Sequence, residues 1–196
     1  MFTGVVQGLG TLQRASTSEV AIAVPESLSK QLTPGASIAV NGVCLTVREQ
    51  DHAIVRADVS EETASRTTFG SLRSGMRVNL ELALSAIARF DGHLVLGHVD
   101  AIGRVQAIYR DREGWTLVVG YPFPFAQYLA DKGSVAVDGI SLTPYGLDGN
   151  TFRCSVIPET YERTALQDRR ASDPVNLEFD VLAKYVERMM SRVHRD

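Results

Sequence analysis

The sequence of 196 residues has little of what marks several protein classes. It holds two cysteines, Cys44 and Cys154, without C-x-x-C spacing or a nearby histidine, so neither a zinc site nor a disulfide framework is predicted and a reducing compartment is expected. The net charge is -3 and there is no basic run, which argues against a nucleic-acid partner. No stretch approaches the roughly 20 apolar residues of a membrane span. The first residues lack the basic and apolar regions of a signal peptide. We therefore expect a cytoplasmic protein.

What the sequence does contain is an internal duplication. The block Ser37-Ile38-Ala39-Val40-Asn41-Gly42-Val43-Cys44-Leu45-Thr46 returns as Ser134-Val135-Ala136-Val137-Asp138-Gly139-Ile140-Ser141-Leu142-Thr143, 97 residues later. The same offset relates the pairs Glu62-Thr63 and Glu159-Thr160, Arg66-Thr67 and Arg163-Thr164, and the V-N-L-E blocks at 78–81 and 175–178. Near the start Gly4 matches Gly97 at an offset of 93. A period this long exceeds solenoid repeats, so each copy should be a domain.

Each copy is typical of a small β-barrel made of short strands. Asn41-Gly42 separates two apolar runs and predicts a tight hairpin, because a type I′ turn needs positive φ at both central residues. Asp138-Gly139 repeats this signal. Further strands are predicted around Val20–Val24, Met76–Leu82 and Pro174–Phe179, with short helices after Pro25, Pro122 and Ser60. The predicted fold is mainly β, with domains at residues 1–92 and 93–180.

The last segment, residues 181–196, is predicted to be a helix without a counterpart after the first copy. One stripe of a helix would carry its apolar residues, which are Val181, Leu182, Tyr185, Val186, Met189, Met190 and Val193. Two interpretations remain open. The stripe packs on its own barrel, or it forms a seam between subunits.

Several blocks, in order and on the duplicated frame, resemble the riboflavin synthase family of the alpha-chain type. They are Met1-Phe2-Thr3-Gly4, Asn41-Gly42-Val43-Cys44-Leu45-Thr46, Gly92-His93-Leu94-Val95-Leu96-Gly97-His98-Val99-Asp100, Asp138-Gly139-Ile140-Ser141-Leu142-Thr143 and Ile157-Pro158-Glu159-Thr160. The resemblance covers essentially the whole chain. It implies two tandem homologous six-stranded Greek-key-like β-barrels plus a C-terminal α-helix, which serves as an oligomerisation element.

The resemblance also implies an activity. Members of the family are transferases that dismutate two molecules of 6,7-dimethyl-8-ribityllumazine into riboflavin and 5-amino-6-ribitylaminouracil, the last step of riboflavin biosynthesis. It implies no cofactor and no metal, a homotrimer with the active site between barrels of two subunits, and lumazine synthase as a partner. A duplicated pocket suits this chemistry, because two copies of one substrate can be held against each other.

Carried over position by position, the resemblance assigns a pocket to each copy. The first pocket contains Gly4, Val5, Val6, Ser37, Cys44, Leu45, Thr46, Asp58, Val59, Ser60, Glu61, Glu62 and Thr63. The second contains Gly97, His98, Val99, Lys132, Asp138, Ser141, Leu142, Thr143, Ile157, Pro158, Glu159, Thr160, Tyr161 and Glu162. For Thr46 and Thr143 the alternative is that threonine simply suits strands.

The candidate catalytic residues are Cys44, Ser141, His98, Phe2 and Asp180. Cys44 and Ser141 occupy equivalent positions and could each donate to the substrate ring or add to it; otherwise Cys44 is a small buried hydrophobe. His98 could remove a proton from the donor's methyl group, or be structural, with His93 as a rival. Phe2 covers the ring or anchors the N-terminus. Asp180 caps the last helix and reaches the second site.

Other residues carry a weaker prediction. Lys132 could pair with a ring oxygen or a ribityl hydroxyl, or be a solvated loop residue. Pro144 stands where the family has an aliphatic strand residue, and it should end or bulge the strand because proline donates no ladder bond. Asp91 replaces a glycine of the family and is interpreted as a change in a surface loop.

Two other classes compete with the enzyme. Paralogues with the same duplicated barrel bind lumazine or flavin without turnover, and they tend to lose the polar residues of the second pocket. Here Lys132, Ser141, Thr143 and His98 are all present, which favours the enzyme. A flavin reductase would need a nicotinamide site, and the sequence has no G-x-G-x-x-G motif.

Overall fold

The structure is a computed structural model that describes residues 1–193, with side chains as far as Ser191. Within these residues, thirteen strands, four α-helices and three 3₁₀ turns form two barrels and a terminal helix. This confirms the predicted mainly β fold with two related barrels and a C-terminal helix. No helix among residues 1–193 is long and apolar enough to cross a membrane.

The first barrel is a closed sheet of six strands in the order β1-β2-β5-β4-β3-β6. The strands are β1 (Gly8–Ala15), β2 (Glu19–Ala23), β3 (Ser37–Val40), β4 (Val43–Asp51), β5 (Ile54–Asp58) and β6 (Arg77–Leu82). The helices α1 (Glu26–Ser29) and α2 (Glu61–Arg66) follow β2 and β5, at the positions where Pro25 and Ser60 predict helix starts. The barrel encloses its own apolar core.

The second barrel repeats that order, with one strand broken. Its strands are β7 (Ala101–Arg110), β8 (Trp115–Gly120), β9 (Val135–Val137), β10 (Ile140–Leu142), β11 (Pro144–Asp148), β12 (Thr151–Val156) and β13 (Pro174–Phe179), in the order β10-β9-β13-β7-β8-β12-β11. The helix α3 (Pro158–Arg163) matches α2, and a 3₁₀ turn at Phe123–Tyr128 replaces α1. β10 and β11 together occupy the position of β4.

Pro144 causes this break, as predicted. In the first barrel the Val47 amide donates to the Ala36 carbonyl at 2.8 Å, while the Gly35 amide donates to the Val47 carbonyl at 2.8 Å. Pro144 occupies the position of Val47 and has no amide hydrogen, so the first of these bonds is lost. The second survives, because the Lys132 amide donates to the Pro144 carbonyl at 2.8 Å. The proline therefore removes one ladder bond and leaves the course of the chain unchanged.

The two predicted hairpins have the predicted turn geometry. Asn41 and Gly42 have φ of 46° and 77°, and Asp138 and Gly139 have 46° and 76°. The turns meet at the centre of the molecule, where a Cβ atom added to Gly42 would lie 2.7 Å from the Gly139 nitrogen. Each glycine is required for its own turn and for the approach of the other barrel.

The terminal helix α4 (Val181–Val193) begins directly after β13. Its apolar stripe faces solvent: Leu182, Tyr185 and Met189 are 59%, 65% and 67% exposed. The interpretation that the stripe packs on its own barrel is therefore wrong for these side chains in the single chain. Residues 194–196 of the predicted helical segment, and the side chain of Val193, lie outside the described residues.

Candidate functional site

Two extended segments cross between the barrels and define the candidate site. We call residues 1–7 the N-terminal arm and residues 93–99 the linker arm. The Gly4 carbonyl accepts a hydrogen bond from the Ser141 amide at 2.8 Å, and the Gly97 carbonyl accepts one from the Cys44 amide at 2.9 Å. Each arm therefore lies against the barrel that it does not precede.

Both arm glycines are required by this close approach. Gly4 and Gly97 have φ of +78° and +79°. A Cβ atom on Gly4 would lie 2.8 Å from the Ser141 nitrogen, and one on Gly97 would lie 2.8 Å from the Cys44 nitrogen. Backbone atoms of a strand cannot move aside, so a larger residue at either position would push the arm off the strand.

Each arm is held by a buried glutamate of its own barrel. Glu81 accepts hydrogen bonds from the Thr3 and Gly4 amides at 2.6 and 3.0 Å. Glu178 accepts them from the Leu96, Gly97 and His98 amides at 2.6, 2.9 and 3.0 Å. Burial raises the pKa of Glu81, and it raises the pKa of Glu178 to about 7 although the amide donors oppose this. Neither glutamate was among the predicted site residues, although the repeated V-N-L-E block contains both.

A cavity of about 370 Å³ opens where the N-terminal arm meets the second barrel. The arm, the start of β10 and the helix α3 supply its walls. The lining residues are Gly4, Val5, Val6, Asp91, Gly92, Ile140, Ser141, Ile157, Glu159, Thr160, Arg163 and Thr164. A volume in this range suits a flat heterocycle of drug-like size.

The first barrel presents the equivalent surface against the linker arm. On β4, Cys44 is half-buried and Thr46 is exposed. In the second copy, Ser141 on β10 is likewise half-buried, and Thr143, at the break between β10 and β11, is exposed. The Ser60 hydroxyl caps α2 by accepting from the Thr63 amide at 3.0 Å. Glu62 pairs with Arg66 at 3.3 Å, as Glu159 pairs with Arg163 at 3.3 Å. The two surfaces where an arm meets a strand are therefore built alike, and we call them the first and the second groove.

Comparisons with known proteins agree with this duplicated architecture. The family model described as the lumazine binding domain matches residues 3–83 and again residues 96–180. The chain is 43% identical over 198 residues to riboflavin synthase of Mycobacterium tuberculosis, covering 97% of this chain and 98% of that protein. It is 35% identical over 199 residues to riboflavin synthase of Bacillus subtilis, covering 100% and 93%.

The chain belongs to the riboflavin synthase family.

Its members are transferases, and the resemblance stated from the sequence is confirmed. The fold is also that of a solved structure, LumP complexed with 6,7-dimethyl-8-(1'-D-ribityl) lumazine, with a TM-score of 0.81 and 22% identity over 91% of this chain and 99% of that one.

For this member of the riboflavin synthase family, the division of the predicted residues into one pocket per copy needs one correction. Gly4, Val5 and Val6 were grouped with Cys44, but they lie beside Ser141. Gly97, His98 and Val99 were grouped with Ser141, but Gly97 bonds to Cys44. The arms are exchanged between barrels, and an offset within the sequence cannot reveal an exchange in space.

The cavity at the second barrel is lined by some of the residues predicted for the second pocket. Ser141, Ile157, Glu159 and Thr160 line it. Arg163 and Thr164 also line it and were missed as site residues, although the repeat of Arg66-Thr67 as Arg163-Thr164 gave a signal.

Four predicted residues of the second copy lie away from this cavity, beside other cavities or in solvent. Pro158, Tyr161 and Glu162 line a separate cavity of about 230 Å³, where Tyr161 stacks on Trp115 with ring centroids 3.8 Å apart. Lys132 is exposed, and its Nζ lies 5.0 Å above the Tyr145 ring.

Several predicted site residues face the barrel cores instead. Leu45 and Val59 are part of the first core and Leu142 of the second. Side chains alternate along a strand, so Cys44 and Thr46 point outward while Leu45 between them points inward. Ser37 pairs with Thr46 along the ladder between β3 and β4.

Asp138 was predicted as a substrate-binding residue, but it is buried between the barrels. Arg169 donates two hydrogen bonds to its Oδ2, at 3.0 and 2.6 Å. The Asn79 amide group donates to the Asp138 carbonyl at 2.9 Å, and that of Asn176 donates to the Asn41 carbonyl at 2.9 Å. These contacts are the central network. The two asparagine bonds cross between the barrels, whereas the Arg169 bonds hold the Asp138 carboxylate within the second barrel.

The candidate catalytic residues have different environments. Phe2 is fully buried with Ala39, Val95 and Ala136 between the barrels, which agrees with the N-terminal anchor rather than with a cover over the ring. Asp180 caps α4 by accepting from the Leu182 amide at 2.9 Å. His98 is exposed on the linker arm, and it follows Gly97, whose carbonyl accepts from the Cys44 amide. The remaining exposed predicted residues, Asp58 and Glu61, lie at the end of β5 and the start of α2.

His93 rather than His98 contacts a predicted nucleophile. Its Nδ1 lies 2.7 Å from the Ser141 Oγ. The ring is 7% exposed, and burial lowers the pKa of His93, opposed by the charge of Asp180. The sequence offered His93 only as a rival to His98, because nothing in the spacing places it beside Ser141.

Proposed function

We propose that the chain is a riboflavin synthase that transfers a four-carbon unit between two molecules of 6,7-dimethyl-8-ribityllumazine. The products are riboflavin and 5-amino-6-ribitylaminouracil. The observation that carries this proposal is the pair of equivalent grooves, each formed by an arm glycine bonded to a strand residue, Ser141 or Cys44. A dismutation needs two pockets for one compound in two roles, and holding both copies makes the encounter effectively unimolecular.

The proposal assigns the same roles to corresponding residues of the two copies. Residues 1–92 and 93–180 form the two lumazine-binding domains, each completed by the arm of the other. In the second groove, Ser141, Thr160 and the arm backbone contact the ring, and Arg163 faces the ribityl chain. In the first groove, Cys44, Thr46, Thr63 and His98 have these roles.

We further propose that the protein is a homotrimer in the cytoplasm. The exposed stripe of α4 supports the oligomer, because three adjacent turns present large apolar side chains that a single chain leaves in water. In a trimer the first groove of one subunit would face the second groove of the next, which brings the two substrates together.

The two unpaired cysteines suit a reducing compartment such as the cytoplasm. Association with lumazine synthase, which would deliver the substrate directly, belongs to the same proposal.

The alternative is a binding protein that holds lumazine or flavin without turnover. The likeness to LumP shows a shared fold and does not decide between binding and turnover. Ser141 and Thr143 in the second copy favour the enzyme, because a pure binding protein needs no second functional pocket.

The proposal is tested by incubating the purified protein with 6,7-dimethyl-8-ribityllumazine in the presence of EDTA and without a reductant. We expect riboflavin fluorescence to grow, with half a mole of riboflavin formed per mole of lumazine consumed, as the dismutation requires. Ser141→Ala and Cys44→Ala serve as paired variants, one in each groove, and both should slow the reaction. Lumazine binding with no riboflavin formed would instead identify a binding protein.

A further inference from the structure

The buried imidazole of His93 determines how Ser141 presents its hydroxyl. Ser141 Oγ borders the cavity of the second barrel, and His93 lies behind it at 2.7 Å. The other ring nitrogen, Nε2, is buried and has no hydrogen-bond partner among the described residues. A neutral imidazole carries its hydrogen on only one nitrogen, so this unpaired atom indicates which tautomer is present.

The tautomer of His93 follows from the free-energy cost of placing the ring hydrogen on Nε2 or on Nδ1. A hydrogen on Nε2 would be a buried donor without an acceptor, and orphaned buried N–H groups are rarer and costlier than unpaired acceptor sites. With the hydrogen on Nδ1, the imidazole donates to Ser141 Oγ and leaves only a lone pair unpaired at Nε2. Burial favours the neutral ring, since it lowers the pKa of His93 against the opposing charge of Asp180. The serine oxygen is then an acceptor toward His93, and its own hydrogen is free for the cavity.

We propose that His93 is a positioning residue that donates from Nδ1 to Ser141 Oγ and thereby fixes the Ser141 hydroxyl as a hydrogen-bond donor toward an acceptor atom on the ring edge of the ligand in the second groove. The inference rests on the proposed function, because that function places a pteridine or flavin ring in this groove. It assigns Ser141 to recognition and polarisation of a ring oxygen or nitrogen. An imidazole that donates to the serine is not in the form that would deprotonate it, so the geometry does not support a serine nucleophile activated by His93.

The first groove lacks this device among the described residues. Cys44 stands in the position of Ser141, and no hydrogen bond joins its Sγ to an imidazole in the part of the chain that the structure describes. A thiol is a weak donor, whereas a serine hydroxyl polarised by a donor behind it is a stronger one. The two grooves share a frame but differ in how strongly they polarise the bound ring, which gives two identical molecules different environments.

The test compares His93→Asn with His93→Gln by titration with riboflavin, the probe whose ring carries the acceptor atoms. Asparagine places an amide nitrogen near the position of Nδ1, whereas glutamine places it near Nε2. Fluorescence quenching resolves tight and weak classes of bound riboflavin. We expect His93→Gln and Ser141→Ala to weaken one class about tenfold, equivalent to about 1.4 kcal/mol, and to leave the other class unchanged. His93→Asn should retain most of the affinity.

A double variant and a remote control complete the design. Ser141→Ala combined with His93→Gln should bind no more weakly than Ser141→Ala alone, because the imidazole acts through the hydroxyl. His52→Asn, in the exposed turn between β4 and β5 at φ 51°, makes the same chemical change away from the grooves and should alter nothing. Melting temperatures recorded in parallel identify any variant that fails to fold. If His93→Gln does not fold, His93→Ala takes its place, because alanine also removes the donor at the Nδ1 position and should weaken the same class of bound riboflavin.

Three outcomes overturn the inference. They are equal binding by the asparagine and glutamine variants, a fully additive double variant, and weakening of both classes together. Riboflavin binding with the expected pattern but no riboflavin formed from lumazine would remove the proposed function and leave the positioning role of His93 intact. Wild-type protein that binds no riboflavin would remove both.

Discussion

At the scale of single residues, the candidate site depends on polar side chains whose burial the sequence does not predict. Glu81 and Glu178 end the two V-N-L-E blocks and hold the arms through backbone amides. Their repeat was visible in the sequence, but a glutamate at the end of a strand is ordinarily read as solvent-exposed. Burial of an acidic side chain is decided by what packs over it, and here that is an arm distant in the sequence.

Glu178 should make stability depend on pH. Burial raises its pKa to about 7 from 4.5 in the unfolded chain. A carboxyl group with a raised folded-state pKa contributes stability that is fully present below the unfolded pKa and is lost as the pH rises through the folded one. We therefore expect the unfolding free energy of the wild type, relative to Glu178→Gln, to fall between pH 4.5 and pH 7, by up to about 1.4 kcal/mol per pH unit. Urea unfolding at several pH values measures this difference.

Comparison with the variant isolates Glu178 from other groups. His93, whose pKa burial lowers, changes stability with the opposite sign over an overlapping range but is present in both proteins. Glu113→Gln, in the exposed turn between β7 and β8, should follow the wild type at every pH. Parallel pH curves for the wild type and Glu178→Gln would show that Glu178 has an ordinary pKa.

At the scale of elements, the hairpin turns were the most predictable parts of the chain. Asn41-Gly42 and Asp138-Gly139 specify their turns through local backbone preference, which neighbouring structure reinforces rather than overrides. The break at Pro144 was equally predictable, because proline lacks a donor in any context. The course of the arms was not, because an extended segment makes no internal hydrogen bonds that could fix its direction.

Alanine at Gly42 should destabilise the protein more than alanine at Gly35, because it adds steric overlap with the other barrel to the backbone strain that both substitutions cause. Gly35 and Gly42 both have positive φ, at 91° and 77°, but only Gly42 faces backbone atoms of the other barrel. We expect Gly35→Ala to lower the unfolding free energy by about 1–2 kcal/mol from strain alone. Gly42→Ala should cost a further 1–3 kcal/mol or so from overpacking. Urea denaturation of both variants measures the difference, and equal losses would mean that the barrels separate readily at this point.

At the scale of the whole molecule, the duplicated barrels are joined by a central network and by exchanged arms. Asn79 and Asn176 each bond across to the other barrel, at equivalent positions. The grooves thus belong to the complete chain rather than to either barrel alone. The helix α4 is the one large element whose apolar face the single chain leaves exposed in the described region.

Removal of the terminal helix should separate subunits without unfolding them. Neither barrel core includes a residue of α4, so a chain ending at Asp180 should retain near-UV circular dichroism and lose oligomeric mass in light scattering. Met189→Glu, on the stripe, should act in the same direction, whereas Arg188→Glu beside it should not. A truncated protein that keeps its mass would assign the oligomer to another surface.

The sequence by itself determined the duplication, the strands, the turns and hence the fold and family, because each of these follows from local periodicity and from a register repeated within the chain. Only the tertiary structure decided that the arms are exchanged, that Phe2 and Asp138 lie in the interface, and that His93 rather than His98 contacts Ser141. These are contacts between segments far apart in the sequence. Their partners are chosen by packing and by burial of polar groups, which leave no periodic trace in either segment alone.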